Sequence, residues 1–218
     1  MGSFLVIGIG RFGGSLAVEL GRMKHEVLAV DKNEDNVTDI MDEVTEVIVG
    51  DATDDAVLAS LGVQNFDCVV VTLGESIEDS ILTTMLLKEM GAQMLVCKAQ
   101  SSLHAKILTQ IGADKVIRPE HDMGKRVAHA LAQRNLMNYL ELSSDFAILE
   151  LSTPQKWVDS TIINTRMREK YGCFLVAINC VVKGEIEISP HPETVLHAGD
   201  VLTLVGHRDQ LDEVSLLG

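Results

Sequence analysis

Short apolar segments alternate with longer amphipathic segments along the first half of the chain. Six apolar segments lie between residues 4 and 118, namely FLVIG, EVLAV, EVIV, CVVVT, MLVCK and KVIR. Continuous runs of Val, Ile and Leu are typical of strands that helices cover on both faces of a parallel sheet. The pattern predicts an α/β fold, a Rossmann-like doubly wound parallel sheet with its ligand crevice at the carboxyl ends of the strands.

The pattern changes after residue 118. Pro119 suits the first turn of a helix, and residues 120–140 then carry apolar residues at helical spacing. These residues are Met123, Val127, Leu131, Leu136 and Leu140. Two interpretations are open: a helix packed on its own domain, or a crossover and dimerisation helix whose stripe meets another subunit.

The last part of the chain has the pattern of a small α+β domain. A strand (FAILEL), a helix (TIINTRMREKYG) and three more strands (FLVAIN, EIEIS, VLTLVG) are joined by loops rich in Pro, His and Gly. We therefore predict three parts: a Rossmann-like domain at 1–118, crossover or dimerisation helices at 119–142, and a C-terminal domain at 143–218. Because the last domain is small, we expect it to be stabilised by pairing with a copy of itself.

Composition narrows the classes of function. Lys and Arg number 18 against 32 Asp and Glu, which gives a formal net charge of -14. Such a surface repels nucleic acid and an anionic bilayer unless basic residues are segregated, and no basic cluster is present. The apolar segments are shorter than the roughly 20 residues that cross a bilayer, and the N-terminus has no secretory signal pattern. A cytoplasmic protein that does not bind nucleic acid is expected.

The four cysteines show no metal-binding or disulfide pattern. Cys68, Cys97, Cys173 and Cys180 include no Cys-x-x-Cys pair and no matching His spacing. We expect three or four of them to be buried small apolar residues in a reducing compartment.

A glycine fingerprint follows the first apolar segment. Gly8, Gly10 and Gly13 form G-x-G-x-x-G between a predicted strand and a predicted helix. In this pattern the first glycine allows a tight turn, the second lets the backbone approach a pyrophosphate, and the third lets the helix pack closely on the strand. The pattern indicates a nucleotide whose phosphates lie at the helix N-terminus.

Asp31 strengthens the interpretation as a nucleotide site. It ends the second predicted strand, where a carboxylate can accept hydrogen bonds from both hydroxyls of an adenosine ribose. Its charge disfavours a 2'-phosphate, although the adjacent Lys32 can accept one. Arg11 lies inside the glycine loop and is either a solvated arginine or a cation that reaches phosphates in this or a neighbouring subunit.

Other polar and small residues follow the later strands at the same sheet edge. Asp51 and Thr53 follow the third strand and are equally well explained as a helix cap or as adenine contacts. The complete candidate nucleotide-binding set is Gly8, Gly10, Arg11, Phe12, Gly13, Asp31, Lys32, Gly50, Asp51, Ala52, Thr53, Leu73, Gly74, Lys98 and Glu120.

Several motifs together resemble one family over essentially the whole chain. They are GIGRFGGSLA, AVDKN, GDATDDAVLASLG, VTLGESIEDSILTTMLLKEMG, KAQ, KILTQIGADKVIRPE and SPHPETVLHAGDVLTLVGH. In this order they are similar to the RCK (regulator of potassium conductance) family, whereas a generic Rossmann dehydrogenase would share only the glycines and Asp31.

The resemblance implies a cytoplasmic regulatory subunit, a homodimer assembling into an octameric ring beneath a separately encoded membrane potassium channel subunit of the Ktr or Trk type. It implies binding of ATP, ADP or NAD(H), with Arg11 sensing a terminal phosphate from a neighbouring subunit. Glu120 would help to hold a divalent or monovalent cation at the dimer interface. Many relatives also bind cyclic di-AMP between C-terminal domains, and the residues that match are Ile162, Ile163, Arg168 and Pro190.

A regulator needs no catalytic residue, because a ligand that binds two conformations unequally shifts their balance. The alternative is a small NAD-linked oxidoreductase, which needs an acid or base beside the nicotinamide. Neither Tyr139 nor Tyr171 has a lysine four residues on. The sequence therefore favours a nucleotide-sensing gating subunit of potassium transport over an enzyme.

Overall fold

The computed structural model describes residues 1–74, 76–132, 136–181 and 184–217. The chain divides into two compact units, Met1–Pro119 and Glu120–Gly218. Each unit has its own hydrophobic core.

The first unit is a six-stranded parallel sheet with helices between its strands. The strands are β1 (Ser3–Ile7), β2 (Glu26–Asp31), β3 (Glu46–Val49), β4 (Cys68–Val71), β5 (Leu95–Lys98) and β6 (Lys115–Ile117). The helices are α1 (Arg11–Arg22), α2 (Glu34–Ile40), α3 (Asp55–Ser60), α4 (Ile77–Glu89) and α5 (Ser102–Gln110). The strand order is β3-β2-β1-β4-β5-β6, which places the reversal of winding between β1 and β4. The predicted Rossmann-like fold is confirmed.

The central strands read as unbroken apolar runs because both of their faces are buried. On β1, Leu5 and Ile7 belong to one core cluster, whereas Val6 between them belongs to the cluster on the other side. Burial on both faces explains why the period of two seen in half-exposed strands is absent. Because all six strands pair in parallel, their carboxyl ends lie at one edge of the sheet.

The second unit contains an antiparallel sheet with short helices. Its strands are β7 (Leu136–Glu141), β8 (Phe146–Ser152), β9 (Phe174–Cys180), β10 (Glu185–Ile188) and β11 (Val201–His207), in the order β10-β9-β11-β8-β7. Its helices are α6 (Pro119–Ala132), α7 (Ile162–Thr165), α8 (Met167–Tyr171) and α9 (Arg208–Ser215). The predicted α+β character is confirmed.

The helix predicted across residues 120–140 is wrong in its second part. Helix α6 ends at Ala132, and Leu136–Glu141 is a strand paired with β8. Leu136 and Leu140 fit the alternation of a strand as well as a helical stripe in the sequence, and Tyr139, which the stripe does not use, is buried. The first three stripe residues, Met123, Val127 and Leu131, lie on α6 and are exposed.

The single helix predicted over TIINTRMREKYG is also wrong. Arg166 has φ +56°, in the left-handed region, and it separates α7 from α8. A residue in this conformation interrupts a right-handed helix. Helix α9, at the end of the chain, was not predicted.

The cysteine prediction is confirmed for three residues. Cys68, Cys97 and Cys173 are buried and Cys180 is half-buried, all as free thiols. Burial raises the pKa of Cys97 and of Cys173 to about 11, so both are thiols at neutral pH. No group of three or more His, Cys, Asp or Glu side chains in the described ranges is placed to hold a metal ion.

Candidate nucleotide-binding site

The three glycines between β1 and α1 meet three different requirements. Gly8 has φ +94°, a conformation that disfavours other residues. A Cβ on Gly13 would lie 1.9 Å from the carbonyl oxygen of Gly8, so only glycine lets α1 pack this closely on β1. A Cβ on Gly10 would meet no heavy atom of the described residues within 4 Å. The backbone at Gly10 therefore faces open space that a ligand can enter.

Helix α1 offers its N-terminus to that space. Gly10 is the N-cap residue, and no side chain of the described residues caps the helix. The first N–H groups of a helix lack partners within the helix, and the helix dipole adds partial positive charge there. This arrangement favours an anionic group such as a phosphate.

The carboxylate of Asp31 is held between the glycine loop and the start of α2. Its Oδ2 accepts a hydrogen bond from the backbone N–H of Ile9 at 2.5 Å, and its Oδ1 accepts one from the N–H of Asn33 at 2.8 Å. A carboxylate oxygen can accept more than one hydrogen bond, so both oxygens retain capacity for ribose hydroxyls. Asp31, which the sequence predicts to bind the ribose, thus also joins the glycine loop to the start of α2 through these two hydrogen bonds.

The turn between β3 and α3 shows which residue caps the helix. Asp54 is the N-cap of α3, and its Oδ1 accepts a hydrogen bond from the N–H of Ala56 at 2.8 Å. Asp51 instead accepts from the N–H and hydroxyl of Thr53, at 2.9 and 2.7 Å, and these bonds lower the pKa of Asp51. Asp51 and Thr53 therefore form a turn before the helix rather than its cap.

Lys98, the last residue of β5, brings positive charge to the loops at the carboxyl ends of the strands. The Nζ of Lys98 lies 5.8 Å from the ring centroid of Phe12, the residue after Arg11 in the glycine loop. It also lies 3.9 Å from the position that a Cβ on Gly74 would occupy. Lys98 is thus near both the glycine loop and the β4–α4 loop, where it can interact with phosphate.

Arg11 is the first residue of α1 and lies within the glycine loop. The exposed Arg11 lines a groove of about 510 Å³ between α1 and α2. The groove is lined by Ile9, Gly10, Arg11, Gly14, Ser15, Val18, Glu19, Arg22, Asn36, Asp39 and Ile40. Lys32 is exposed at the start of the β2–α2 loop, and its charge contributes to lowering the pKa of Asp51. Glu120 is the second residue of α6 and belongs to the second unit.

Three side chains that the sequence analysis did not single out donate hydrogen bonds to backbone carbonyl oxygens in the loops of the crevice. Thr72 donates to Gly8 at 2.6 Å, Thr83 donates to Ala52 at 3.0 Å, and the Nε2 of Gln100 donates to Gly74 at 2.5 Å. The motifs VTLGESIEDSILTTMLLKEMG and KAQ contain these residues, but nothing in either motif shows that the side chains act on loops distant in sequence. The hydroxyls of α4 were one available signal: Ser80, Thr83 and Thr84 lie among the apolar residues in the middle of this helix, and all three are buried.

In the second unit, the residues matched to cyclic di-AMP recognition lie in three places. Ile162 and Ile163 are on α7, Arg168 is on α8, and Pro190 precedes the loop segment 192–194, which bonds to α7. The N–H of Ile162 donates to the carbonyl of Thr194 at 3.0 Å, and the N–H of Ile163 donates to that of Pro192 at 2.8 Å. The guanidinium of Arg168 lies 4.4 Å from the ring centroid of Phe174. Ile163 is exposed and Pro190, two residues before Pro192, is half-buried.

Comparison with known proteins gives a consistent result across both units. The TrkA-N domain family matches residues 4–119 and the TrkA-C domain family matches residues 146–217. The chain is 44% identical over 208 residues to Ktr system potassium uptake protein A of Bacillus subtilis, covering 95% of this chain and 93% of the relative. It is 42% identical over 204 residues to Ktr system potassium uptake protein C of the same organism, covering 93% and 91%.

Solved structures share the fold. The GsuK channel bound to NAD matches with a TM-score of 0.68 and 23% identity, covering all of this chain and 39% of the length of that one. The TrkA-N domain of the Escherichia coli inner membrane protein ybaL matches with a TM-score of 0.53 and 14% identity, covering 60% of this chain and 96% of that one. In the part of the chain that the structure describes, no helix is both long and apolar enough to cross a membrane.

A Rossmann-type sheet with an open glycine loop is followed along the chain by a small antiparallel domain, and a separate family matches each of the two. The chain belongs to the RCK family, with TrkA-N and TrkA-C domains, and its relatives are potassium uptake proteins of Ktr systems. The predicted family is confirmed. Because these relatives are uptake proteins rather than enzymes, the oxidoreductase alternative is not supported.

Proposed function

We propose that this protein is the nucleotide-sensing regulatory subunit of a potassium channel or transporter, and that its crevice binds ATP and ADP, or NAD(H). One observation carries the proposal: the carboxylate of Asp31, tied to the N–H of Ile9 at 2.5 Å, lies beside the open backbone of Gly10. The side chain that would bind the ribose and the backbone that would bind the phosphates are thus held next to each other before any nucleotide binds.

The residues of the first unit suit the parts of an adenine nucleotide. The N-terminus of α1 and Lys98 would hold phosphates, Asp31 would hold the ribose, and the turn at Ala52 with the loop at Leu73 would flank the base. The carboxylate of Asp31 disfavours a 2'-phosphate by charge repulsion, which favours NAD(H) over its phosphorylated form. The nucleotide serves as a ligand and no bond is made or broken.

Regulation would act through contacts between copies of the chain. The apolar residues Met123, Val127 and Leu131 of α6 are exposed, with Leu131 at 81%, and such a stripe suits burial against a second copy. We propose a homodimer that assembles into an octameric ring. Arg11, at the edge of its groove, would reach the terminal phosphate in a neighbouring subunit, and Glu120 would help to hold a cation at the dimer interface.

The partner would be a membrane-embedded potassium channel subunit of the Ktr or Trk type, with this chain on the cytoplasmic face. The names of the relatives, Ktr system potassium uptake proteins, support this partner. A nucleotide that binds two ring conformations with different affinities shifts their populations, and the channel subunit responds to the favoured conformation.

Cyclic di-AMP is the second ligand that we propose, at Ile162, Ile163, Arg168 and Pro190 of paired C-terminal domains. The planar guanidinium of Arg168, placed over Phe174, suits both a phosphate and a purine ring. The test is calorimetric titration of cyclic di-AMP into Arg168→Ala, with Lys170→Ala as the control that removes the same charge from the same helix. Loss of binding in the first variant alone supports the site, and equal binding in both excludes it.

Titration of ATP, ADP and NADH, together with an assay of NADH oxidation, tests the nucleotide proposal. The wild-type chain should bind at least one of these nucleotides and should not oxidise NADH at a steady rate. Co-expression with a Ktr membrane subunit in cells deficient in potassium uptake should restore growth at low potassium, and Gly10→Ala should reduce this growth. Failure to bind any adenine nucleotide, or steady NADH turnover, would refute the proposal.

A further inference from the structure

Two neighbouring loops at the ligand edge are joined by one side chain. Gln100 lies in the loop between β5 and α5, and its Nε2 donates a 2.5 Å hydrogen bond to the carbonyl oxygen of Gly74 in the loop between β4 and α4. Both loops leave the carboxyl ends of adjacent parallel strands. The bond therefore crosses the sheet edge at the crevice itself.

The backbone of Gln100 is also fixed. Its N–H donates to the Nδ1 of His104 at 3.3 Å, and the N–H of His104 donates to the hydroxyl of Ser101 at 3.1 Å. His104 is 1% exposed, and burial lowers its pKa, so the imidazole is neutral at physiological pH and its Nδ1 can act as an acceptor. Gln100 thus extends from an anchored turn, which limits the positions that its amide can reach.

The bond acts on a carbonyl of the β4–α4 loop, which is one of the loops of the candidate site. Gly74 is exposed and carries no side chain, so its peptide group has few other restraints. The Nζ of Lys98 lies close to it, and Leu73 precedes it in the loop that would flank the base. A rotated Gly74 carbonyl would change both the shape of this wall and the charge near Lys98.

We propose that Gln100 is a positioning residue of the nucleotide site, which fixes the Gly74 peptide in the orientation that the ligand requires before it binds. The inference rests on the proposed nucleotide-binding function. Order imposed before binding reduces the entropy lost on binding, so removing the bond should weaken affinity more than it weakens the fold.

The chain offers a matched control for this inference. The Nε2 of Gln93 donates to the carbonyl of Gln64 at 3.1 Å, and Gln93 is exposed as Gln100 is. The two bonds are of the same chemical type, but that of Gln93 lies at the amino ends of the strands. Gln100→Met and Gln93→Met each remove one such bond and keep the side-chain volume similar.

The experiment compares the two variants in the full chain. The melting temperatures of the ligand-free proteins and the dissociation constants for ATP and ADP should be measured by scanning and titration calorimetry. We expect similar small losses of melting temperature, with the dissociation constants raised about tenfold by Gln100→Met and unchanged by Gln93→Met. Equal affinities in both variants and in wild type would overturn the inference and leave the proposed function intact. Absence of binding of ATP, ADP and NADH by wild type would overturn both.

Discussion

The buried hydroxyl of Thr83 on α4 donates a 3.0 Å hydrogen bond to the carbonyl oxygen of Ala52 in the turn between β3 and α3. Helix α4 is unusual because its buried face carries hydroxyls while Leu82 and Met85 are exposed. The inward hydroxyl of Thr83 thus supports a loop of the crevice from a distant part of the sequence.

Replacing Thr83 by Val should weaken nucleotide binding. The variant keeps the shape of the side chain but leaves the buried Ala52 carbonyl without its Thr83 partner, at a cost of about 1–3 kcal/mol. Thr84→Val is the control, because Thr84 is equally buried on the same helix and its hydroxyl donates to Ser80 within that helix. Calorimetry with ATP should show a larger loss of affinity for Thr83→Val than for Thr84→Val. Equal losses would mean that nucleotide binding does not depend on the hydrogen bond from Thr83 to Ala52.

Two glycine variants should fail in different ways. Gly13→Ala places a Cβ 1.9 Å from the Gly8 carbonyl oxygen and 2.4 Å from the Thr72 hydroxyl, so it should prevent stable folding. Gly10→Ala meets no described atom within 4 Å, so it should fold normally and lose nucleotide affinity. Circular dichroism melts and ATP titration distinguish the two. A folded Gly13→Ala, or a Gly10→Ala that binds ATP as wild type does, would contradict the assignment.

Asp31→Ala should reduce both stability and nucleotide binding, because the carboxylate accepts backbone hydrogen bonds from Ile9 and Asn33 in addition to its proposed ribose contact. Asp67→Ala is the control: its Oδ2 accepts from the N–H of Ser3 at 2.8 Å, at the opposite end of the sheet. In urea unfolding, both variants should lower the free energy of unfolding by about 1–2 kcal/mol. Only Asp31→Ala should lose affinity for ATP, ADP and NADH.

His104 should make stability depend on pH. Burial lowers the pKa of His104 in the folded state, so the unfolded chain binds more protons between that pKa and about 6.5. The contribution of His104 is therefore fully present above about pH 6.5 and is lost as the pH falls through the folded-state pKa. His104→Asn keeps an acceptor for the Gln100 N–H and does not titrate. Urea unfolding should show that the free energy of unfolding falls less between pH 7.5 and pH 5.0 in the variant than in wild type. An equal fall in both proteins would exclude this role of His104.

The sequence predicted the glycine loop and Asp31 because each requirement there is local. Gly8, Gly10 and Gly13 follow one strand directly, and the end of β2 must lie at the same sheet edge as the end of β1. The supports of the crevice were not predictable in the same way. Gln100 and Gly74 are 26 residues apart, and a single glutamine carries no sign of its partner. The segment at Leu136 and Leu140 was misassigned because its apolar spacing fits both a helix and a strand.

Small-angle X-ray scattering of the wild-type chain, saturated in turn with ATP and with ADP, tests most directly the claim that the crevice converts nucleotide occupancy into an arrangement of subunits. The account predicts an assembly larger than one chain and two scattering profiles that differ, with the difference reduced in Arg11→Ala. Identical profiles with the two nucleotides bound, or a single chain in both, would contradict it.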